Sequence, residues 1–302
     1  MDSERTLKLN GRSVNYVDQG HGEPLLLVHG FPLDHSMWQR QIDFFQSEYR
    51  VICPDLPGFG ASEPIYEPMN SSGEPVGDTQ STRDRLTTNR KATGAAGKSL
   101  SMESLADWLV AFLDAIACVE PVDYCGLSMG GYIGWQFWRR HPSRLKSMIA
   151  ANTRASKDDE LVRRARHMAA AQVRVSGAQS VADAMIEKLF YLAGDQDPLE
   201  IEYIAKVHQT IFTTDPDVIS AGQIGMSQRV DATGWLSEIA IPMLFIGGEF
   251  DSITPPAEMQ SNATAANNAP FETIPAAGHL TPLEQPDAFN LSVGQFLENL
   301  RC

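Results

Sequence analysis

Several features are scarce or missing in this sequence, and each absence excludes a class of protein. The 302 residues include only four cysteines and no Cys-x-x-Cys pair, so no disulfide framework is indicated. Acidic residues outnumber basic ones by 38 to 24, and the net charge of −14 disfavours binding to nucleic acid or to an anionic membrane surface. No apolar run approaches the roughly 18 residues that a membrane-spanning helix needs.

The amino terminus argues against a secreted protein, and the spacing of most histidines argues against a metal site. MDSERTLKLN is charged and lacks the apolar core of a signal peptide, so with cysteines expected to be free thiols it predicts a cytoplasmic protein. Five histidines lack metal-ligand spacing such as H-E-x-x-H, and we expect neither a metal nor a cofactor. They are His21, His35, His141, His167 and His208. The expected binding partner is therefore a small molecule. The sequence leaves two oligomeric states open, a monomer and a homodimer.

What the sequence does contain is an alternation of apolar strands and amphipathic helices. RTLKLNGRSVNYVDQG predicts a hairpin that turns at Asn10-Gly11, and EPLLLVHG and YRVICPDLPG predict two buried strands around a helix over 36–47. VDYCGL, RLKSMIAANT, PMLFIGGEFD and PFETIPAAGH predict further strands separated by helices, one of them capped by Ser99 or Ser101. This alternation indicates a mostly parallel α/β sheet with helices on both faces.

A strand-poor stretch over 157–228 interrupts the alternation. Its apolar residues recur at helical spacing, so we expect a helical insertion there. The predicted domains are a helical cap at 155–231 and a core formed by 1–154 together with 232–302. Some apolar residues of the cap should line a pocket over the edge of the sheet, while the alternative is that all of them pack only among the cap helices. The candidates are Met168, Met185, Ile186, Leu189, Phe190, Ile204, Ile211 and Phe212.

A second interruption is the polar insertion at 66–99. Only Val76 and Leu86 in it come from the set Leu, Ile, Val and Phe, too few apolar groups to order a segment of this length, so we expect a mobile surface loop. An alternative is a contact site formed by its basic residues. These are Arg83, Arg85, Arg90 and Lys91.

The segment VDYCGLSMGGYIGWQF places Ser128 between glycines, where a buried strand meets an amphipathic helix. Gly126 and Gly130 lack the β-carbons that would collide when strand and helix approach closely, and the sharp turn would strain the serine backbone and hold its hydroxyl away from the sheet. The glycines alone would also fit tight packing around an incidental serine. A nucleophilic serine further requires a base, a carboxylate and an oxyanion site.

Candidates for the base and the carboxylate follow two later strands. PAAGHLTPLEQP places His279 on a loop from which its imidazole can reach Ser128. GGEFDSITPP ends a strand with Glu249 and Asp251, and a carboxylate is needed there to orient the imidazole. We favour Asp251 because it lies farther out on the turn, with Glu249 as the alternative. Asp251 could also merely cap a turn before Pro255.

The oxyanion site is predicted from LLLVHGFPLD, which ends the first buried strand. Pro32 has no N–H to donate, so the backbone N–H of Phe31 is the first expected donor. The N–H of Met129, directly after the candidate nucleophile, is the second. His29 is interpreted as a residue that packs this loop rather than as a second catalytic histidine.

The motifs HGFP, DLPGFGAS, GLSMGG, GEFDSITPP and AAGHLTPLEQP, in this order, resemble the α/β-hydrolase family across nearly the whole chain. The resemblance implies a sheet of about eight strands with a helical cap inserted after the sixth strand, and the chain order Ser, Asp, His is that of this family. The segments NTRA and SVADAMIEKLF look like the cap of 3-oxoadipate enol-lactonases and related small esterases. Epoxide hydrolases and haloalkane dehalogenases of this fold use an aspartate nucleophile, which Ser128 excludes here.

These residues predict a serine hydrolase that cleaves a small ester or lactone through an acyl-enzyme, with Ser128, His279 and Asp251 as the triad. Two alternatives are a cofactor-free perhydrolase, which shares the triad, and a non-catalytic small-ligand receptor on the same fold. An enol-lactonase would also need a countercharge for its substrate carboxylate. The candidates are Arg154, Arg163, Arg164, Arg166 and Arg174.

Overall fold

The core of the protein is one eight-stranded sheet. The computed structural model describes residues 4–68, 98–194 and 201–301. The strands are β1 Glu4–Leu9, β2 Arg12–Gly20, β3 Glu23–Val28, β4 Tyr49–Pro54, β5 Val122–Leu127, β6 Leu145–Ala151, β7 Met243–Gly248 and β8 Phe271–Ile274. Their spatial order is β1-β2-β4-β3-β5-β6-β7-β8, with β2 antiparallel to both neighbours and every pair from β4 to β8 parallel. The predicted mostly parallel α/β sheet is confirmed.

The first hairpin turns where the sequence predicts. Asn10 and Gly11 have φ values of 52° and 80°, in the left-handed region that tight hairpin turns require and that Asn and Gly tolerate. The turn aligns β1 with β2 from the pair Leu9 and Arg12 onward.

Helices cover both faces of the sheet. They are α1 Gln39–Phe45, α2 Met102–Ala115, α3 Met129–Arg140, α4 Glu160–Ser176, α5 Gln179–Leu189, α6 Glu202–Thr213, α7 Pro216–Ser227, α8 Pro256–Ala265, α9 Thr281–Glu284 and α10 Pro286–Asn299. In β3, Leu25 and Leu27 join the apolar cluster under α1 and α10, while Leu26 and Val28 join the cluster under α2, α3 and α8. Within the described ranges, none of these helices combines the length and hydropathy of a membrane-spanning segment.

Two predicted helix boundaries are refined by the structure. The helix expected over 36–47 is a 3₁₀ turn, His35–Trp38, followed by α1. Helix α2 begins after Ser101, whose Oγ accepts a hydrogen bond from the Ser104 N–H at 3.2 Å. Ser101, rather than Ser99, is therefore the N-cap.

In the part of the chain that the structure describes, four α-helices, α4 to α7, lie between β6 and β7, where the helical insertion is predicted. Five of the eight candidate pocket residues are buried in the apolar cluster that also contains Leu33 and Met37 of the core, so they do not pack only among these helices. They are Ile186, Leu189, Phe190, Ile204 and Ile211. Met185 is partly buried. Met168 and Phe212 face solvent, with 67% and 45% of their surface exposed.

The polar insertion is described only at its ends. The predicted mobile loop and the contact site of basic residues fall on 69–97 and lie outside the described residues. Two short antiparallel strands, Glu67–Pro68 and Lys98–Ser99, close the insertion. Lys98 Nζ lies 2.8 Å from Asp217 of α7, and Ser99 is fully buried. The carboxyl-terminal end of the insertion therefore packs beside α7.

The close approach of α3 to the sheet depends on two glycines. A β-carbon on Gly126 would lie 2.5 Å from the backbone of Gly130, and one on Gly130 would lie 2.3 Å from the carbonyl oxygen of Val28. Both distances are too short for real atoms, so α3 can begin against β3 and β5 only without these side chains.

We expect Gly130→Ala to lower the free energy of unfolding by about 1–3 kcal/mol, because the added methyl group forces the backbone of β3 and α3 apart. Urea denaturation with linear extrapolation measures the change. Gly234→Ala is the matched control, since its β-carbon would meet no atom within 4 Å. It should change the same free energy by less than about 0.5 kcal/mol. Equal effects of the two substitutions would contradict the packing argument.

Candidate active site

Ser128 occupies the single residue between strand β5 and helix α3. Its φ of 54° and ψ of −111° are unusual for a residue with a side chain. Such strain costs on the order of 1–3 kcal/mol and persists only where the surroundings enforce it. Here the Ser128 N–H donates to the Ala151 carbonyl at 2.9 Å, and the Ser128 carbonyl accepts from Thr153 Oγ1 at 2.7 Å. The predicted strained turn is therefore present, with the serine half-buried.

Asp251 and His279 are brought together by the loops that follow β7 and β8. The Nδ1 atom of His279 lies 2.8 Å from Oδ2 of Asp251, and both side chains are buried. The carboxylate accepts from Nδ1–H, which leaves Nε2 of a neutral imidazole free of a proton. This arrangement is the one that a general-base histidine requires.

The carboxylate of Asp251 is held in its charged form. Burial alone would raise its pKa, but the charge of His279 and hydrogen bonds from His279, Asn152 and Thr254 outweigh burial and lower the pKa well below its usual range. The backbone N–H groups of Ile253 and Thr254 also donate to Oδ1, at 2.8 and 2.9 Å. Asp251 thus also caps its own turn, so the two interpretations of this residue are not exclusive.

Glu249, the alternative acid, points to a different partner. Its Oε2 accepts a hydrogen bond from the Ala276 N–H at 3.0 Å, and its side chain is exposed. The carboxylate that contacts His279 is that of Asp251, as the sequence favours.

Asn152, directly after β6, is a further residue of the candidate site, and the sequence did not indicate a role for it beyond the lack of a carboxylate. Its Nδ2 donates to Asp251 at 2.9 Å and to the Gly278 carbonyl at 3.3 Å, while its Oδ1 accepts from Thr281 Oγ1 at 2.7 Å. Its φ of 44° lies in the left-handed region, which asparagine tolerates better than most residues. The carbonyl of Ala151, the preceding residue, accepts a hydrogen bond from the Ser128 N–H. Asn152 therefore links strand β6, which holds the Ser128 turn, to Asp251 and to the loop that carries His279.

The two predicted oxyanion donors belong to segments that adjoin Ser128. A β-carbon on Gly30, directly before Phe31, would lie 3.5 Å from Cβ of Ser128, so the loop after β3 runs beside the serine. Met129 is the first residue of α3, where backbone N–H groups have no partner within the helix. The ring of Phe31 is covered by α7, since a β-carbon on Gly222 would approach it to 2.7 Å.

His29 packs the loop, as interpreted from the sequence. Its Nε2 accepts a hydrogen bond from the Leu56 N–H, and its Nδ1 donates to the Gly30 carbonyl, both at 3.0 Å. Burial lowers the pKa of His29, which keeps the ring neutral. Both ring nitrogens of His29 are therefore engaged in hydrogen bonds with the backbone.

Asp34, His35 and Asp55 bring three potential metal-ligand atoms within 4.8 Å of one another. Protein donors already occupy these carboxylates: Asp55 accepts from His35 Nδ1 at 2.6 Å and from Asn15 at 3.0 Å, and Asp34 accepts from Ser36. Burial alone would lower the pKa of His35, but Asp55 outweighs it and raises the pKa. The group therefore fits a buried ion pair that ties the loops after β3 and β4 together.

The five arginines proposed as countercharges all have acidic partners. The pairs are Arg154 with Glu258 at 3.2 Å, Arg163 and Arg164 with Glu160 at 2.9 and 2.7 Å, Arg166 with Asp158 at 2.6 Å, and Arg174 with Asp217 at 3.1 Å. A substrate carboxylate would have to compete with these existing ion pairs.

The comparison with known families agrees with the fold and with the order of the motifs. The sequence model of the alpha/beta hydrolase fold matches residues 23–286. The chain belongs to the α/β-hydrolase family. This assignment confirms the resemblance drawn from the five motifs.

Relatives of this α/β-hydrolase include lactonases and esterases. The 3-oxoadipate enol-lactonase 2 of Acinetobacter baylyi is 28% identical over 290 residues, which cover 95% of this chain and 94% of that protein. The structure of a thermophilic esterase from Thermogutta terrifontis superimposes with a TM-score of 0.83 at 31% identity, covering 99% of this chain and 100% of the other. The enol-lactonase of Burkholderia xenovorans LB400 shares the fold, with a TM-score of 0.78 at 23% identity over 97% of this chain and 100% of its own.

The contact of Asp251 with His279 predicts unequal effects of two substitutions. Asp251→Asn should lower kcat on a short p-nitrophenyl ester by about 10³- to 10⁴-fold, because the amide removes the charge that orients and stabilises the imidazole. Glu249→Gln, the matched control, should stay within about threefold, because Glu249 contacts a backbone N–H instead. Steady-state kinetics on both purified variants measure the difference, and the reverse pattern would assign the acid to Glu249.

Proposed function

We propose that this α/β-hydrolase is a serine esterase that cleaves small esters through an acyl-enzyme intermediate. The observation that carries the proposal is the buried hydrogen bond between Asp251 and His279, at the sheet edge where the Ser128 turn also lies. The carboxyl ends of parallel strands share one edge, so the loops after β5, β7 and β8 all open there. Ser128 is the proposed nucleophile, His279 the base and Asp251 the orienting acid.

In the first half of the proposed reaction, Oγ of Ser128 attacks the ester carbonyl while Nε2 of His279 takes the hydroxyl proton. The carbonyl oxygen becomes negatively charged and accepts hydrogen bonds from the backbone N–H groups of Phe31 and Met129. Collapse of this intermediate breaks the bond to the alkoxy oxygen. The proton on Nε2 passes to that oxygen, and the alcohol leaves.

The second half repeats these steps with water. His279 takes a proton from water as its oxygen attacks the acyl carbon, and the same two N–H groups hold the oxyanion. The bond to Ser128 then breaks, and the proton returns to its Oγ. The carboxylic acid product is released, and the net reaction consumes one ester bond and one water molecule.

The proposed substrate is an uncharged ester or lactone rather than one that carries a carboxylate. The 31% identity to an esterase supports ester hydrolysis. The pairing of all five candidate arginines with acidic side chains favours an uncharged acyl group, because a substrate carboxylate would first have to displace a protein carboxylate.

Labelling and substitution of Ser128 test the catalytic assignment. A fluorophosphonate should attach to Ser128 in the folded protein, with the site read by mass spectrometry. Ser128→Ala should abolish labelling and lower kcat on p-nitrophenyl acetate by about 10⁴-fold or more, because no nucleophile remains. Ser176→Ala, at the exposed end of α4, is the control and should retain both. Near-normal turnover by Ser128→Ala would refute the proposal.

A matched pair of substrates tests the proposed charge preference. We expect kcat/KM for p-nitrophenyl butyrate to exceed that for the mono-p-nitrophenyl ester of succinic acid by about tenfold or more. The second substrate carries a carboxylate, and each of the five candidate arginines is already paired with an acidic side chain. Initial rates at fixed ionic strength measure the ratio. A preference for the charged ester would overturn the substrate assignment while leaving the triad intact.

A further inference from the structure

The chain at the end of helix α5 lies directly against the loop that carries His279. The backbone N–H groups of His279 and Leu280 both donate to the Leu189 carbonyl, at 2.9 and 3.2 Å. A β-carbon on Gly278 would lie 2.7 Å from the backbone nitrogen of Tyr191, so the two segments are in backbone contact. The position of this loop is therefore tied to the end of a helix from the inserted segment.

One carboxylate binds both sides of this contact. Glu284, the last residue of α9, accepts hydrogen bonds from the Gly278 N–H at 3.0 Å and from the Leu280 N–H at 3.1 Å. Its Oε2 also accepts from the Tyr191 N–H at 2.7 Å. Two of these three donors flank His279 in sequence and the third lies just beyond α5. Hydrogen bonds from backbone N–H groups to a charged acceptor are among the stronger ones in proteins.

The same segment also reaches the loop of the proposed acid. The rings of Tyr191 and Phe250 stack with centroids 4.0 Å apart and planes inclined by 10°. Phe250 directly precedes Asp251, and its N–H donates to the Ala277 carbonyl at 2.9 Å. Residues 189–191 thus contact both loops that meet in the hydrogen bond between Asp251 and His279.

We propose that Glu284 is a positioning residue that fastens the His279 loop to the end of α5 and so sets the orientation of the imidazole. This inference rests on the proposed function for the role of His279. Glu284 acts through the backbone on either side of that residue.

The charge of Glu284 matters to this role. Burial raises its pKa despite the three backbone hydrogen bonds, and the charge of His279 acts in the opposite direction. The pKa of Tyr203 in α6 is raised by burial and by the charge of this carboxylate. When the pH falls through a raised pKa, Glu284 takes up a proton and one oxygen becomes a donor facing N–H donors. The loop then loses part of its attachment at a less acidic pH than for an ordinary glutamate.

The kinetic test compares Glu284→Gln with Glu298→Gln, an exposed glutamate on α10. Glu284→Gln should lower kcat on p-nitrophenyl acetate about tenfold and leave KM within about twofold, because substrate contacts are retained while the base is misoriented. Glu298→Gln should match the wild type. In the wild type, kcat should also fall by up to about tenfold as the pH drops and Glu284 takes up its proton, and this part of the acid dependence should be missing in Glu284→Gln.

Amide hydrogen exchange tests the attachment without any need for catalysis. In Glu284→Gln, the amides of Gly278, Leu280 and Tyr191 should exchange at least about tenfold faster, while those of α10 stay unchanged. If Glu284→Gln does not fold, Glu284→Asp retains the charge but withdraws the oxygens by one methylene group, and the same measurements apply.

The outcomes separate this inference from the proposed function. Unchanged exchange at the three amides, or an unchanged kcat with an unchanged acid dependence in an active protein, overturns the positioning role of Glu284. Failure of the wild type to hydrolyse any ester overturns the proposed function and with it the catalytic part of this inference. Faster exchange would then still establish the attachment of the loop to α5.

Discussion

The strained backbone of Ser128 is the constraint on which the rest of the site depends. A left-handed φ at a residue with a side chain costs on the order of 1–3 kcal/mol, and it is maintained here by contacts that the fold supplies. The absence of side chains at Gly126 and Gly130 lets α3 begin against β3 and β5, while Ala151 of β6 and Thr153, two residues beyond it, form hydrogen bonds with the serine backbone. Three adjacent strands therefore hold one residue in an unfavourable conformation.

The remaining groups converge because parallel strands end at one edge. The loops after β3, β6, β7 and β8 all open at the edge of the sheet where the Ser128 turn lies, and side-chain hydrogen bonds join the last three of these loops to one another. Asn152 is central to this arrangement, since it contacts Asp251, the Gly278 carbonyl and Thr281 at once. Buried polar groups are costly to leave without hydrogen bonds, so each of these loops restricts the position of the next.

The four helices between β6 and β7 contact the site at two points. Helix α7 packs on the ring of Phe31, whose backbone N–H is a proposed oxyanion donor, and the Leu189 carbonyl at the end of α5 accepts a hydrogen bond from the His279 N–H. These helices consequently contact both the loop of the proposed oxyanion site and the loop of the proposed base. The division into a cap at 155–231 and a core remains a prediction, but these contacts show that the helices are part of the framework around the site.

The sequence alone determined the features that depend on local spacing. Periodicity predicts the strands and helices because burial on one face imposes it, and the glycines around Ser128 predict a strained turn because only they permit so close an approach. Only the tertiary structure decided which residues far apart in the sequence contact one another. Asn152 and Asp251 meet across 99 residues, and Glu284 and Tyr191 meet across 93. No local pattern marks such partners, because packing of the strands and helices brings them together.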